Sequence, residues 1–350
     1  MPQLFIAIFL SAVISFFLTP LTRKFFESHG WIENPREKQL KTNNATALKP
    51  IPRGGGLPIF ISVLVTSLLF LPGDKHLLAI LFSAFLTLVI GLIDDLKDLS
   101  PKTRLFTNLV SALIVVASGI GIAYVSNPLG GVLDLSHPRF YFDLFGPRSI
   151  WILSDFIAVF WIVWCMNIVG WSAGVEGQLP GFVSISAFFI GILGIKYAAD
   201  ITQWPVIILA GAVSGAYLGF LPFNFYPQSI MPGYSGKSLA GLFLSVLAIL
   251  SGAKLATVIF LLGIPMLDAT FVLTVRIFRY HSLFKPNNIH LHHYLLNRGW
   301  SRRKIALIYW TFSLVLGVIA LTLNSQQKFY TFIGIAIISF SFFIRRYQHN

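Results

Sequence analysis

Apolar runs of membrane-spanning length recur along the whole of this chain, and no other feature limits its fold so sharply. A helix needs roughly 20 apolar residues to cross the hydrocarbon, within a range of about 17–25. On that ruler the sequence predicts eleven spans, near 3–20, 55–72, 76–94, 105–125, 149–168, 181–196, 204–222, 238–252, 254–275, 304–323 and 329–344. The expected fold is all-α: a polytopic membrane helix bundle of about eleven transmembrane helices, forming a single domain over residues 1–350. Only 11% of residues are charged and 33 are Phe, whereas a soluble domain is about 25% charged. A lone cysteine, Cys165, rules out an internal disulfide framework. The first run, Leu4 to Leu18, is followed by Thr19-Pro20 and Arg23-Lys24 without a small-residue cleavage site. It reads as an anchor rather than a removed signal peptide.

The net charge of +13 would suggest nucleic acid on a soluble domain. Here its placement gives the better explanation, and no nucleic-acid partner is expected. With the N-terminus outside, the inner segments hold 20 Lys/Arg and the outer segments six, among them Lys75, Lys196 and Lys328. That bias satisfies the positive-inside rule and puts the C-terminus in the cytoplasm. The same topology sends every Gly-, His-, Asn- or carboxylate-rich loop to the cytoplasmic side: 34–56, 91–104, 167–181, 223–237 and 276–303. The outer loop 126–148 carries turn residues and little chemistry. A scaffold has no reason to sort polar loops by side; a one-sided site for cytosolic substrates does.

Gly91-Leu92-Ile93-Asp94-Asp95-Leu96-Lys97-Asp98 closes the third span. Adjacent aspartates at a membrane lip repel each other unless a cation or proton sits between them. Mg²⁺ suits Asp94 and Asp95, because it takes oxygen ligands and tolerates phosphate as a co-ligand. For an isolated pair a polar helix end is the better reading; the neighbouring loops reverse it. Pro52-Arg53-Gly54-Gly55-Gly56 enters the second span with glycines that allow close approach of a ligand. Arg53 is either a bidentate phosphate partner or a snorkelling arginine. Ser100-Pro101 predicts a helix start, after which Lys102 and Arg104 reach a phosphate or the lipid head groups. Asn167 sits at a cytoplasmic helix end, and Glu176 is the only acid in a loop without basic residues. Glu176 is either a further metal ligand or an exposed carboxylate. Phe223-Asn224-Phe225-Tyr226-Pro227 and Gly233-Tyr234-Ser235-Gly236 would cradle a base or sugar, or form an interfacial aromatic belt. Asp268 lies within a span and should face the bundle interior, paired or protonated. His290-Leu291-His292-His293, amid Arg276, Arg279, Arg298, Arg302 and Arg303, suits a pyrophosphate better than a soft metal.

Taken in order, these motifs resemble the polyprenyl-phosphate N-acetylhexosamine-1-phosphate transferases, glycosyltransferase family 4. That superfamily includes undecaprenyl-phosphate N-acetylglucosaminyl-1-phosphate transferases and the phospho-MurNAc-pentapeptide translocase. The resemblance runs roughly from Pro35 to Arg303 and adds Gly263-Ile264-Pro265-Met266-Leu267-Asp268 to the stretches above. It implies a Mg²⁺-dependent transfer of a sugar 1-phosphate from a UDP-N-acetyl sugar to a polyprenyl phosphate, with release of UMP. It also implies an inner (plasma) membrane enzyme whose site faces the cytoplasm. By resemblance, Asp94 and Asp95 are the catalytic and metal-holding pair, with Glu176 as a further metal ligand. Lys102, Asn167, His290, His292 and His293 would line the substrate cleft, beside Arg53 and Asn224 from the reading of the loops. Homodimers are common in such families, though no residue here shows one.

The chain departs from the family pattern at several acids. The family loop Asn-x-x-Asn-x-x-Asp-Gly-x-Asp-Gly is here Asn167, Gly170, Ala173-Gly174 and Glu176-Gly177. The family Gly-Asp-Ser-Gly is Gly233-Tyr234-Ser235-Gly236, and the aspartate that precedes the histidines is Asn287. These losses leave open a degenerate member that binds polyprenyl phosphate or nucleotide sugar without turnover. A transporter is the third reading, but no internal repeat is visible and only Asp268 hints at one.

Overall fold

The computed structural model describes residues 2–36, 49–127, 130–143, 147–251, 254–280 and 289–348. It is mostly helical. The helices are α1 (Pro2–Ser28), α2 (Gly56–Phe70), α3 (Lys75–Lys97), α4 (Pro101–Ala117), α5 (Ile152–Trp171), α6 (Gln178–Lys196), α7 (Gln203–Asn224) and α8 (Gly233–Leu250). After them come α9 (Lys254–Leu261), α10 (Gly263–Val275), the short α11 (Leu291–Asn297), α12 (Arg302–Thr322) and α13 (Ser325–Gln348). Among the described residues seven helices are long and apolar enough to cross a membrane, and an eighth span is added if α9 and α10 are taken together.

Local chemistry sets many of the helix starts. Asp74 accepts from the Leu77 amide ahead of α3 at 2.8 Å, and Ser100 accepts from Thr103 ahead of α4 at 3.2 Å. The Ser100-Pro101 start is therefore where the sequence put it. Among the described residues, four of the eleven expected spans differ: the second, fourth and eleventh (α2, α4 and α13) are not among the helices long and apolar enough, and the ninth is interrupted. The ninth, 254–275, is a broken pair, bent by 83° between α9 and α10. Gly263 and Pro265 open α10, and a proline in a first turn suits a new helix better than the interior of a continuous one. The fourth, 105–125, stops at Ala117; Gly119 takes a left-handed φ of +102°, and the chain turns into strand.

Short strands accompany the helices. Among the described residues there are three two-stranded antiparallel sheets: β1 (Ile32–Glu33) with β2 (Ile51–Pro52), β3 (Tyr124–Ser126) with β4 (Val132–Asp134), and β5 (Arg139–Asp143) with β6 (Pro147–Trp151). The last two are hairpins built into the loop expected outside.

The core sits among α6, α7 and α8, where Phe182, Tyr217, Phe220 and Phe243 are fully buried. α1 lies along α7. Side chains at Gly215 and Gly219 would strike the Ile8 and Ala12 carbonyls, so their absence lets the two backbones touch. Hydroxyl groups add to this: Ser11 on α1 donates to the Ala212 carbonyl on α7 at 2.6 Å, and Ser83 on α3 donates to the Ser111 carbonyl on α4 at 2.8 Å. Phe9, Phe17, Phe82, Phe85 and Phe106 point outward. That pattern, with apolar groups both inside and outside, suits a bundle surrounded by lipid.

Candidate active site at one end of the bundle

Three motifs that lie far apart in sequence meet around Ser235. Gly56, the first residue of α2, and Gly91 on α3 both abut it, leaving no room for a Cβ at either position. The segment before α2 is laced to the loop before α8: the Met231 amide donates to the Pro52 carbonyl at 2.8 Å, and the Gly55 amide to Met231 at 3.0 Å. Gly233, at φ +67°, packs against the Asp95 carboxylate and the Arg53 carbonyl. The glycines of 54–56 thus serve close packing of helix ends.

The two aspartates of the predicted pair differ in their surroundings. Asp95 is saturated. Its Oδ1 accepts from the Tyr234 amide at 2.5 Å and lies 3.4 Å from Arg53 Nε; its Oδ2 accepts from the Ser235 hydroxyl at 2.7 Å and the Ser235 amide at 3.3 Å. Asp94 is fully buried, and its Oδ1 accepts from Arg104 Nε at 2.6 Å and the Leu99 amide at 3.0 Å. Its Oδ2 is buried and has no hydrogen-bond partner among the described residues. A buried carboxylate oxygen left unpaired costs free energy unless something satisfies it.

Arg53 is a hub, 2.9 Å from Asp98 and 3.2 Å from Glu33 besides its contact with Asp95. Burial alone would lower its guanidinium pKa; Asp95, Glu33 and Asp98 outweigh that and raise it above the ordinary value. Arg104 also lies over the Tyr234 ring, 5.1 Å from its centroid, and the Tyr234 hydroxyl donates to Asn108 at 3.1 Å. Tyr234 thereby packs beside the aspartates in the place where the family pattern has a third carboxylate.

A second cluster joins the other loops. Glu176 is buried and paired with Arg302 at 2.9 Å. Among the described residues no group of three or more His, Cys, Asp or Glu side chains is placed to hold a metal. The expected trio of Asp94, Asp95 and Glu176 is therefore not assembled: Glu176 faces a guanidinium group instead. Asn224 is committed as well. Its Oδ1 accepts from the Gly177 amide at 3.0 Å, and its Nδ2 donates to Gln228 at 2.9 Å and to the Ile230 carbonyl at 3.0 Å. It ties the loop after α5 to the loop after α7, so its amide is spent on structure rather than offered to a ligand. Asn167 donates back to the Val163 carbonyl of its own helix at 2.7 Å, and Lys102 is exposed at the start of α4.

The histidines form a row. His290 and His292 stack with centroids 5.5 Å apart and planes 9° apart, and His293 lies 4.3 Å from His292. Gly174 backs His292 so closely that a Cβ there would overlap the imidazole. The first residue of the row is held by Asp268: His290 Nδ1 lies 2.8 Å from Asp268 Oδ2, and the Leu291 amide donates to Oδ1 at 2.7 Å. Asp268 is paired and interior, as its place in a span requires. Its partner, 22 residues away, had no local signal. Neither had the pairing of Arg104 with Asp94 or of Arg302 with Glu176. Asn287, whose loss of charge the sequence flags, lies outside the described residues.

The glycosyl transferase family 4 model matches residues 77–252, half of the chain, a stretch that includes the aspartate pair and Tyr234-Ser235. The chain belongs to glycosyl transferase family 4. Its relatives include a probable undecaprenyl-phosphate N-acetylglucosaminyl 1-phosphate transferase of Bacillus subtilis, 26% identical over 93% of this chain and 86% of the relative. A decaprenyl-phosphate N-acetylglucosaminephosphotransferase of Mycobacterium tuberculosis is 29% identical over 85% of this chain and 77% of its own length. A phospho-N-acetylmuramoyl-pentapeptide-transferase of Campylobacter jejuni is 27% identical over 90% and 92%. Within this family 4 chain, Gly91, Asp95 and Ser235 form one packed unit inside the matched stretch.

Proposed function

We propose that this family 4 protein moves an N-acetylhexosamine 1-phosphate from a UDP-sugar to a polyprenyl (undecaprenyl) phosphate, releases UMP, and so begins a lipid-linked cell-envelope glycan. The names of its relatives support the reaction class. The observation that carries the reading is the unpaired Oδ2 of Asp94, buried beside the Arg104-bound Oδ1 at the end of the bundle where the motifs of 52–56, 91–98 and 233–236 converge.

In the proposed step an oxygen of the lipid phosphate attacks the sugar-bearing phosphorus. The bond from that phosphorus to the bridging oxygen breaks, and the bridging oxygen leaves with UMP. Such transfers depend on positioning and on neutralising phosphoryl charge. Asp94 has the free carboxylate oxygen and is the better placed of the pair to act on the incoming lipid phosphate or its counter-ion. Asp95, saturated by Tyr234, Ser235 and Arg53, holds the helix ends together. Arg53 and Arg104 bring guanidinium groups suited to phosphate, and the imidazole row offers donors to the diphosphate.

The donor set fits Mg²⁺ at one point, the orphaned Asp94 oxygen; Asp95 and Glu176 are occupied by other partners. A magnesium ion would be held by Asp94, substrate phosphates and water, since Mg²⁺ keeps several waters. It would supply neutralisation of the diphosphate charge. The protein is further proposed to cross the inner (plasma) membrane eleven times with the N-terminus outside. The Lys/Arg bias supports that orientation and a cytoplasm-facing site.

UMP release by detergent-solubilised protein, given polyprenyl phosphate and a panel of UDP-N-acetyl sugars, tests the reading. At least one sugar should give lipid-dependent UMP that EDTA abolishes and Asp94→Asn reduces at least about 100-fold. No turnover across the panel, with lipid or nucleotide binding intact, would favour the second reading, a binder without turnover. Tyr234 beside the aspartates and the Glu176–Arg302 pair are the observations on its side.

A further inference from the structure

Asp268 is a buried carboxylate in this end of the bundle to which the proposed transfer assigns no task. It lies 1% exposed on α10, one turn beyond the 83° break, and both its oxygens point at a single short segment. Oδ1 takes the Leu291 amide and Oδ2 takes His290 Nδ1. With an ionised carboxylate as the acceptor, the hydrogen in the 2.8 Å contact sits on the imidazole Nδ1. That fixes which nitrogen carries it. The other nitrogen, Nε2, is then the only atom of His290 left to meet a ligand.

The stacking extends this control. His290 lies parallel to His292, which presses on Gly174 and on His293. Trp171 borders His290 at 6.4 Å, and Arg276 lies over Trp171 at 5.4 Å. The ring that Asp268 orients therefore sets the plane it shares with His292, from which His293 is tilted by 43°. We propose that Asp268 is a positioning residue for the histidine row, clamping His290 through Nδ1 so that Nε2 is presented to a phosphoryl oxygen of the nucleotide-sugar diphosphate. When a phosphate accepts a hydrogen bond from Nε2, the imidazole must carry both protons and sits between two anionic partners. Asp268 compensates that charge from the far side.

The assignment of a phosphoryl ligand rests on the proposed transferase reading, whereas the clamp on Nδ1 does not. Two measurements keep them apart. In ¹⁵N-histidine-labelled protein, with His290→Gln identifying the resonances, His290 should show a protonated Nδ1 in wild type. Asp268→Asn should release that signature. A neutral ring protonated only at Nε2 in wild type would overturn the clamp, whether or not the protein turns over.

In the UMP-release assay, Asp268→Asn should lower kcat about 10–100-fold, the usual range for a partner that orients a functional histidine. The KM for the lipid should hold and the Tm should fall little. Asp268→Glu should recover part of the loss. In a His290→Gln background, Asp268→Asn should cost nothing more. An equal loss in that background, or unchanged kcat at unchanged Tm, would overturn the positioning role. Absence of wild-type turnover would instead count against the transferase reading and leave the ¹⁵N result to decide the clamp.

Discussion

Neighbouring carboxylates on one helix end have been given unlike work. Asp95 accepts two backbone amides and a hydroxyl and sits beside a guanidinium, while Asp94 keeps an oxygen with no partner. Stability and turnover should therefore separate between them. Removing one partner from a buried charged network costs about 3–5 kcal/mol, so Asp95→Ala should lower the Tm of the detergent-solubilised protein markedly. Asp94→Asn should cost far less, because Arg104, a third exposed, can turn to solvent or to Asp98. Its loss should instead appear in UMP release. Equal Tm losses in the two variants would refute this division. The sequence shows two identical adjacent residues, and nothing local tells them apart. Their difference comes from Tyr234 and Ser235, about 140 positions away.

Among the elements, the helix ends and the contacts between them carry the site. α1 and α7 approach through glycines whose missing side chains admit carbonyls of the opposite helix. Backbone cannot step aside as a flexible side chain can, so Gly215→Ala should cost about 1–3 kcal/mol by overpacking, read as a fall in Tm. Gly174 presents the opposite case, since its neighbour is the His292 ring. Gly174→Ala should leave Tm nearly intact, displace the imidazole row and raise the KM for the nucleotide sugar several-fold with a smaller effect on the lipid. An unchanged KM would show that the row does not meet the nucleotide. The start of α4 was legible because capping is decided within four residues, by Ser100. The break between α9 and α10 was not, since its apolar residues continue without interruption through Leu262.

For the whole molecule, the distribution of basic residues makes a definite prediction about sidedness. The single native cysteine, Cys165, is fully buried, so engineered thiols can be read against little background. Gly130 is exposed in the loop expected outside, and Lys102 is exposed at the opposite helix ends. In intact cells a membrane-impermeant maleimide should label Gly130→Cys, and should label Lys102→Cys only after permeabilisation. The reverse pattern would place the candidate site on the wrong side for cytosolic nucleotide sugars. What the sequence alone determined was the helical class, most span positions and the gathering of polar loops, because hydropathy and capping act over a few neighbouring residues. Only the tertiary structure decided that Asp94 keeps a free oxygen, that Glu176 belongs to Arg302, that Asn224 is a strut, and that Asp268 holds His290. Each of those pairings depends on which helix ends pack together, a choice made by close contacts such as Gly91 on Ser235 and not by any stretch of chain read alone.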